Sequence, residues 1–313
     1  MKIIKPKRLL KGDVIGIITP ASTPDDFSKI EKSTKYFEGL GYKVELGPNI
    51  GKSRGYLAGS DEERLNDLHY MFKSKTVKAV FCARGGYGSG RILDKIDYRI
   101  IKNNPKIFVG YSDITQLHFA LLTKSSLLTF AGPMPAVDFS DEISPFAEEQ
   151  FWKVLTTNKK IGKLVQPDGE KIFPIIKGDV KARLIGGNLS NIISLIGTDY
   201  FPNTKDKILF IEEIGEYPYR VDRMFNQLRL NKVFTGSKAI LLGAFIDCHE
   251  HDYSKRTLTL GEVMQDYFNS SKIPVHYNLK HGHIKDNMTL PIGGLIKIHS
   301  TKGYLELTEN VLI

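Results

Sequence analysis

Between residues 13 and 131, short β-branched and apolar runs recur with amphipathic stretches between them. The runs are "VIGIITP", "YKVELG", "KAVFCA", "KIFVG" and "LLTFAG", most of them apolar at every position. A strand that is apolar on both sides must be covered on both sides, which calls for a parallel sheet with helices packed on each face. The intervening segments supply those helices. "FSKIEKSTKYFEGL" sets Phe27, Ile30, Tyr36, Phe37 and Leu40 at helical spacing, and "SDEERLNDLHYMF" opens with Ser60 and Glu63 in capping-box spacing. Further helices are expected to begin near Ser89 and Asp113. Residues 1–140 therefore read as a doubly wound α/β domain.

The rhythm changes after residue 139. "DFSDEISPFAEEQFWKVL" predicts an acidic-started helix, and "TTNKKIGKLVQPDGEKIFPIIKGD" is polar, Lys-rich and broken by Pro and Gly. Residues 141–178 are thus expected to connect two domains. A second set follows over 179–313: helices in "GGNLSNIISLIG", "YRVDRMFNQLRL" and "LGEVMQDYF", and strands in "KILFIEE" and "KAILLGAF". Closing strands "PIGGLIKIHS" and "GYLELTEN" predict a mixed sheet. A chain of 313 residues suits two domains of this kind.

Charge and cysteine usage narrow the partners. The formal charge is +9, but lysines are scattered among acids and form no basic block interleaved with aromatics, so no nucleic-acid partner is expected. Cys82 and Cys248 lie far apart and lack CxxC spacing, which fits a reducing compartment rather than a disulfide framework. The opening "MKIIKPKRLLKGDVIGIITPAS" is basic and then apolar, but Gly12 and Asp13 interrupt it, as befits a first strand rather than a signal peptide. No run approaches the ~20 apolar residues of a membrane span. A cytoplasmic protein with no membrane partner is expected.

In "KIFVGYSDIT" a strand gives way to a helix at Ser112. Ligands of open parallel sheets bind beyond the carboxyl ends of strands, and backbone N–H groups at a helix start favour developing negative charge there. Ser112 is therefore either a helix cap or a nucleophile. The surroundings resemble the nucleophile elbow G-x-S-x-G, with Ile114 in place of the last glycine. A nucleophilic serine also needs a base and a carboxylate to orient it. His69 and His118 fall in helical patterns and read as structural. His276, His281 and His283 occupy a polar, Gly-punctuated region, and His283 in "HGHIKDNMTLPIGG" is the candidate base. His249 and His251 in "DCHEHDY" sit among Cys, Glu and Asp, but the spacing matches no common zinc pattern and a polar loop explains it equally well, so no metal is expected. Glu212 and Glu213 end the strand "KILFIEE"; side-chain alternation sends one toward a site and the other to solvent. Gly86, Gly88 and Gly90 in "ARGGYGSGR" could cradle a phosphate, yet no convincing acidic ribose partner follows about 20 residues on.

Taken together, "GDVIGIITPAS", "ARGGYGSGRIL", "FVGYSDITQLHFAL", "GGNLSNIISLIGT", "ILFIEEIGEYPYRVDRMFNQL" and "GHIKDNMTLPIGG" resemble, in order and spacing, the LD-carboxypeptidase family of serine peptidases. That family includes muramoyltetrapeptide carboxypeptidases and the microcin C self-immunity peptidase. The resemblance implies Ser112 as nucleophile, His283 as general base and Glu212, rather than Glu213, as the residue orienting it. It implies oxyanion donors at the backbone of Gly86 and Asp113, and Arg84 as a partner for the substrate's terminal carboxylate. The expected substrate is a small murein tetrapeptide that loses D-alanine during cell-wall recycling, with no cofactor and a homodimeric assembly. Two alternatives are hydrolysis of a peptidyl-nucleotide, as in the microcin branch, and a non-catalytic two-lobed peptide-binding protein. The microcin branch stacks a nucleobase; the single tryptophan here, Trp152, is expected in core packing instead.

Overall fold

The computed structural model describes residues 2–252 and 254–313. Strands β1 (Val14–Ile18), β2 (Lys43–Leu46), β3 (Val77–Cys82), β4 (Ile107–Gly110) and β5 (Thr129–Ala131) pair in parallel in the order β2–β1–β3–β4–β5. Helices α1 (Ser28–Gly39), α2 (Asp61–Lys73), α3 (Tyr98–Asn103) and α4 (Thr115–Ser125) connect them. The strand order reverses between β1 and β3, so the loops leaving those strands flank the crevice where such sheets take ligands. The expected capping box opens α2: Glu63 N–H donates to Ser60 Oγ at 3.1 Å, and Ser60 N–H donates back to Glu63 Oε2 at 2.8 Å. The helix expected at Ser89 is a 3₁₀ turn, Ser89–Lys95. Ser89 N–H donates to Asp113 Oδ2 at 2.8 Å and its hydroxyl to Asp113 O at 2.7 Å. This ties the loop after β3 to the corner after β4.

Residues 141–178, expected as a connector, contribute structure to both halves. Helix α5 (Pro145–Thr156) starts only at Pro145, because Ser144 Oγ caps it by accepting from Ala147 N–H. It packs on the first sheet through Phe151, whose ring meets Phe81 edge-on, and Trp152, which stacks on Tyr42 at 5.0 Å. Strands β6 (Gly162–Leu164) and β7 (Phe173–Ile176) then form the two edges of the second sheet.

The second sheet is mixed, as expected. β8 (Val180–Asn188), β9 (Lys207–Ile214), β10 (Ala239–Ile246) and β11 (Val275–Tyr277) run parallel at its centre. They are linked by α6 (Leu189–Leu195), α7 (Pro218–Leu230), α8 (Val233–Gly236) and α9 (Leu260–Phe268). "PIGGLIKIHS" divides at its glycines. β12 (Leu290–Ile292) crosses back to pair antiparallel with β5 in the first sheet, whereas β13 (Leu295–His299) and β14 (Tyr304–Leu307) close the second. The chain between β11 and β12 is therefore anchored in one sheet at its start and in the other at its end. His283 lies in that crossing.

Candidate active site

The corner after β4 is built to expose one hydroxyl. Tyr111 is extended (φ −148°, ψ −170°), and Ser112 then turns to φ 63°, a conformation that costs an L-residue on the order of 1–2 kcal/mol. Asp113 and Ile114 start a 3₁₀ turn that runs into α4. A strained serine between strand and helix is the geometry of a nucleophile elbow. The loop after β3 presses against it: a Cβ on Gly85 would lie 2.9 Å from Ser112 Cβ and 3.1 Å from its Oγ. Only glycine allows that approach, which lets peptide groups of the loop reach the serine.

Gly86 continues the loop at φ +106°. Ser22, at the end of β1, braces it by accepting from Tyr87 N–H at 3.1 Å and donating to Tyr56 O at 2.6 Å. Among the described residues, the N–H groups of Gly86 and Asp113 donate to no protein acceptor outside regular elements. The Asp113 side chain is buried, and burial pushes its carboxyl up. Its oxygens accept from Ser89 N–H and from Gln116 Nε2 at 3.3 Å. Arg84 sits beside the same loop, with Nη1 donating to Thr23 O at 3.3 Å and to the exposed Asp25 at 3.4 Å.

The second half of the site forms where β9 ends. Glu212 is fully buried and accepts from His283 Nδ1–H at 2.8 Å. That bond fixes the tautomer, leaving the Nε2 lone pair of a neutral His283 free to take a proton. Glu212 Oε1 is buried and has no hydrogen-bond partner. Burial disfavours the charged form of His283, but the hydrogen bond and charge of Glu212, with the charges of Glu213 and Asp138, outweigh it and raise its pKa above the ordinary value. Asp138 lies near the imidazole; burial pushes its carboxyl up to about 6, although Met134 N–H donates to it at 2.7 Å. The Tyr111 ring meets the imidazole edge-on at 5.2 Å. Ser112's neighbour thus touches His283, while no hydrogen bond between Ser112 Oγ and His283 is present among the described residues.

Glu213 does face away from His283, but not into solvent as the alternation suggested. It is 2 % exposed and accepts from Asn188 Nδ2 at 2.7 Å, Ser190 N–H at 2.8 Å and Ile214 N–H at 2.9 Å. The start of α6 covers that face of β9. Asn188 also joins the halves: its N–H donates to Thr115 Oγ1 at 3.0 Å, and Gln116 Nε2 donates to Asn191 Oδ1 at 2.7 Å. His69, His118 and His281 are structural. His118 Nε2–H donates to Gly110 O at 2.8 Å, His281 Nδ1–H donates to Met288 O at 2.7 Å, and His69 Nε2 accepts from Asp97 N–H at 3.0 Å. Gly85, Tyr111 and Asp138 were missed from sequence; of these, only the paired glycines in "ARGGYG" carried a signal, as a close-approach pattern.

A strained serine, a glycine loop against it and a buried Glu–His pair lie at one seam. Residues 15–132 match the LD-carboxypeptidase N-terminal domain and residues 181–298 the LD-carboxypeptidase C-terminal domain. A probable murein peptide carboxypeptidase of Bacillus subtilis is 40% identical over 295 residues, covering 92% of this chain and 89% of that protein. The chain belongs to the LD-carboxypeptidase family. Its fold is correspondingly that of solved members. A muramoyltetrapeptide carboxypeptidase from Oxalobacter formigenes superposes with a TM-score of 0.82 at 31% identity, covering 94% of this chain and 97% of that one. MccF in complex with glutamyl sulfamoyl guanosine superposes with a TM-score of 0.90 at 27% identity, covering 99% of each. Both solved structures therefore share this fold, and family membership supports peptidase activity.

Proposed function

We propose that this protein is a serine LD-carboxypeptidase that hydrolyses the bond between an L-centre and a C-terminal D-amino acid. Its substrate is a murein tetrapeptide, cleaved to tripeptide and D-alanine in the cytoplasm during cell-wall recycling. The observation that carries the reading is the buried Glu212–His283 pair, presented at the same seam as the strained Ser112. His283 Nε2 takes the hydroxyl proton as Ser112 Oγ attacks the carbonyl carbon. Glu212 stabilises the imidazolium that forms. The N–H groups of Gly86 and Asp113 receive the tetrahedral oxyanion, each contributing on the order of 3 kcal/mol in chemistry of this kind. His283 then gives the proton to the departing amine of D-alanine, and a water deprotonated by the same histidine releases the tripeptide. Arg84, beside Gly86, meets the substrate's terminal carboxylate, exchanging its long contact to exposed Asp25. No step calls for a metal or an organic cofactor, and the working assembly is a homodimer.

Trp152 bears on the peptidyl-nucleotide alternative. Its ring is stacked on Tyr42 and bounded by Phe139 and Phe151, and Nε1 donates to Tyr36 at 3.0 Å. It is engaged in packing against the first sheet. The test that separates an enzyme from a two-lobed binding protein is labelling by a serine-directed fluorophosphonate followed by peptide mapping. Modification of Ser112 alone is expected; an unlabelled Ser112 in folded protein contradicts the proposal.

A further inference from the structure

Within "DCHEHDY", which as sequence reads as a polar loop, residues 247–252 bring three side chains together in the structure. This segment leaves β10 beyond Ile246, at the carboxyl end of the second sheet. Asp247 adopts φ 52°, a left-handed conformation that Asp enters more readily than most residues. Its Oδ1 lies 3.5 Å from His249 Nδ1 and 3.6 Å from His251 Nε2. The two imidazoles lie tilted at 56° to each other with ring centroids 4.5 Å apart, and one donor atom from each of the three residues lies within 4.8 Å of the others.

We propose that Asp247, His249 and His251 form a binding site for a divalent transition ion of the zinc type. Ligands held at about 2.0–2.1 Å from a tetrahedral zinc ion sit roughly 3.4 Å from one another. The carboxylate–imidazole separations are already within a few tenths of an ångström of that edge. Two imidazoles and one carboxylate suit zinc, copper or nickel; calcium and magnesium take oxygen ligands instead. The site is also constrained from outside. Tyr217 meets the His251 ring edge-on at 5.8 Å, and Lys255 lies 3.9 Å from Glu250 and 3.6 Å from Asp252. The neighbouring acids are thereby engaged, while the three ligands remain open to solvent, so an ion can enter and a water can complete its shell. None of the ligands belongs to the Ser112 site, and the metal site stands whether or not hydrolysis occurs there.

The test is titration of the full chain with Co²⁺ and Zn²⁺ in a non-chelating buffer, followed by the visible absorption of bound Co²⁺ and by calorimetry. One equivalent is expected to bind. His249→Ala and His251→Ala should each weaken binding more than about tenfold, at least the cost of losing a supporting residue at a metal site. Their circular dichroism should be unchanged, since both side chains are exposed. His299→Ala, which removes the imidazole bonded to Glu306, should bind like the parent. If a variant fails to fold, ¹H–¹⁵N imidazole spectra of the parent decide: Zn²⁺ should shift the resonances of His249 and His251 together. Parent affinity no tighter than that of the His249→Ala/His251→Ala double variant, or imidazole resonances unmoved by Zn²⁺, overturns the proposal.

Discussion

Replacing Glu212 by Gln isolates the one charge that the proposed mechanism places behind its base. The substitution keeps shape but removes the carboxylate that accepts from His283 at 2.8 Å in a fully buried position. A hydrogen bond to a charged group contributes about 1.5–3 kcal/mol, which at about 1.36 kcal/mol per power of ten amounts to one to two decades. Two effects follow from the same loss. Turnover falls by at least about 10- to 100-fold, because the imidazolium formed in the transition state loses its partner. The acid limb of the rate profile, set in the parent by the raised pKa of His283, moves to lower pH because burial is then less opposed. Stability follows with a definite sign. A raised histidine pKa contributes stability that is fully present below about pH 6.5 and fades as pH rises through the folded-state value, so the variant's deficit should be larger at low pH than at high pH. Initial-rate measurements across pH, with urea unfolding beside them, read all of this. A variant within twofold of the parent, with its acid limb unmoved, refutes the role given to Glu212.

Gly187 stands at φ +151° where β8 meets α4, and a Cβ there would collide with Thr115 Oγ1 and lie 2.7 Å from its Cγ2. Backbone strain of about 1–3 kcal/mol plus overpacking of about 1–3 kcal/mol predicts that Gly187→Ala loses about 2–6 kcal/mol in urea unfolding; a loss under about 1 kcal/mol contradicts close docking of the halves. His118 and His276 are buried, and burial pushes both down to about 4. Histidines with depressed values stabilise fully above about pH 6.5 and lose that contribution as pH falls through the folded values. Unfolding free energy should therefore drop between about pH 6.5 and 4, by up to about 3 kcal/mol per histidine, and a flat profile over that window contradicts their neutral burial.

Much of the first sheet was legible because its signals are local. The capping box at Ser60 and Glu63 and the break at Gly110 each depend on a few adjacent residues. β8 carries no clear strand signal, because "VKARLIGGN" has two lysine or arginine side chains at its start and two glycines near its end, a composition that reads as a loop. Those glycines serve a contact with α4 that no local pattern announces. β12 and β13 share one apolar run, yet they enter different sheets, a choice decided by packing on β5 and β8. Glu213 was expected at the surface because alternation gives only the face of the strand; what covers that face, Asn188 and the start of α6, is tertiary. The pairing of Glu212 with His283 spans 71 residues and was reached through family resemblance rather than from the residues alone.

The central claim is that Ser112 attacks the bond to a terminal D-amino acid. Its most direct test is mass spectrometry of murein tetrapeptide incubated with the parent and with Ser112→Ala, each shown to be folded. Loss of one D-alanine is expected with the parent and none with the variant. Equal release by the two proteins, or an intact tetrapeptide after prolonged incubation with the parent, contradicts it.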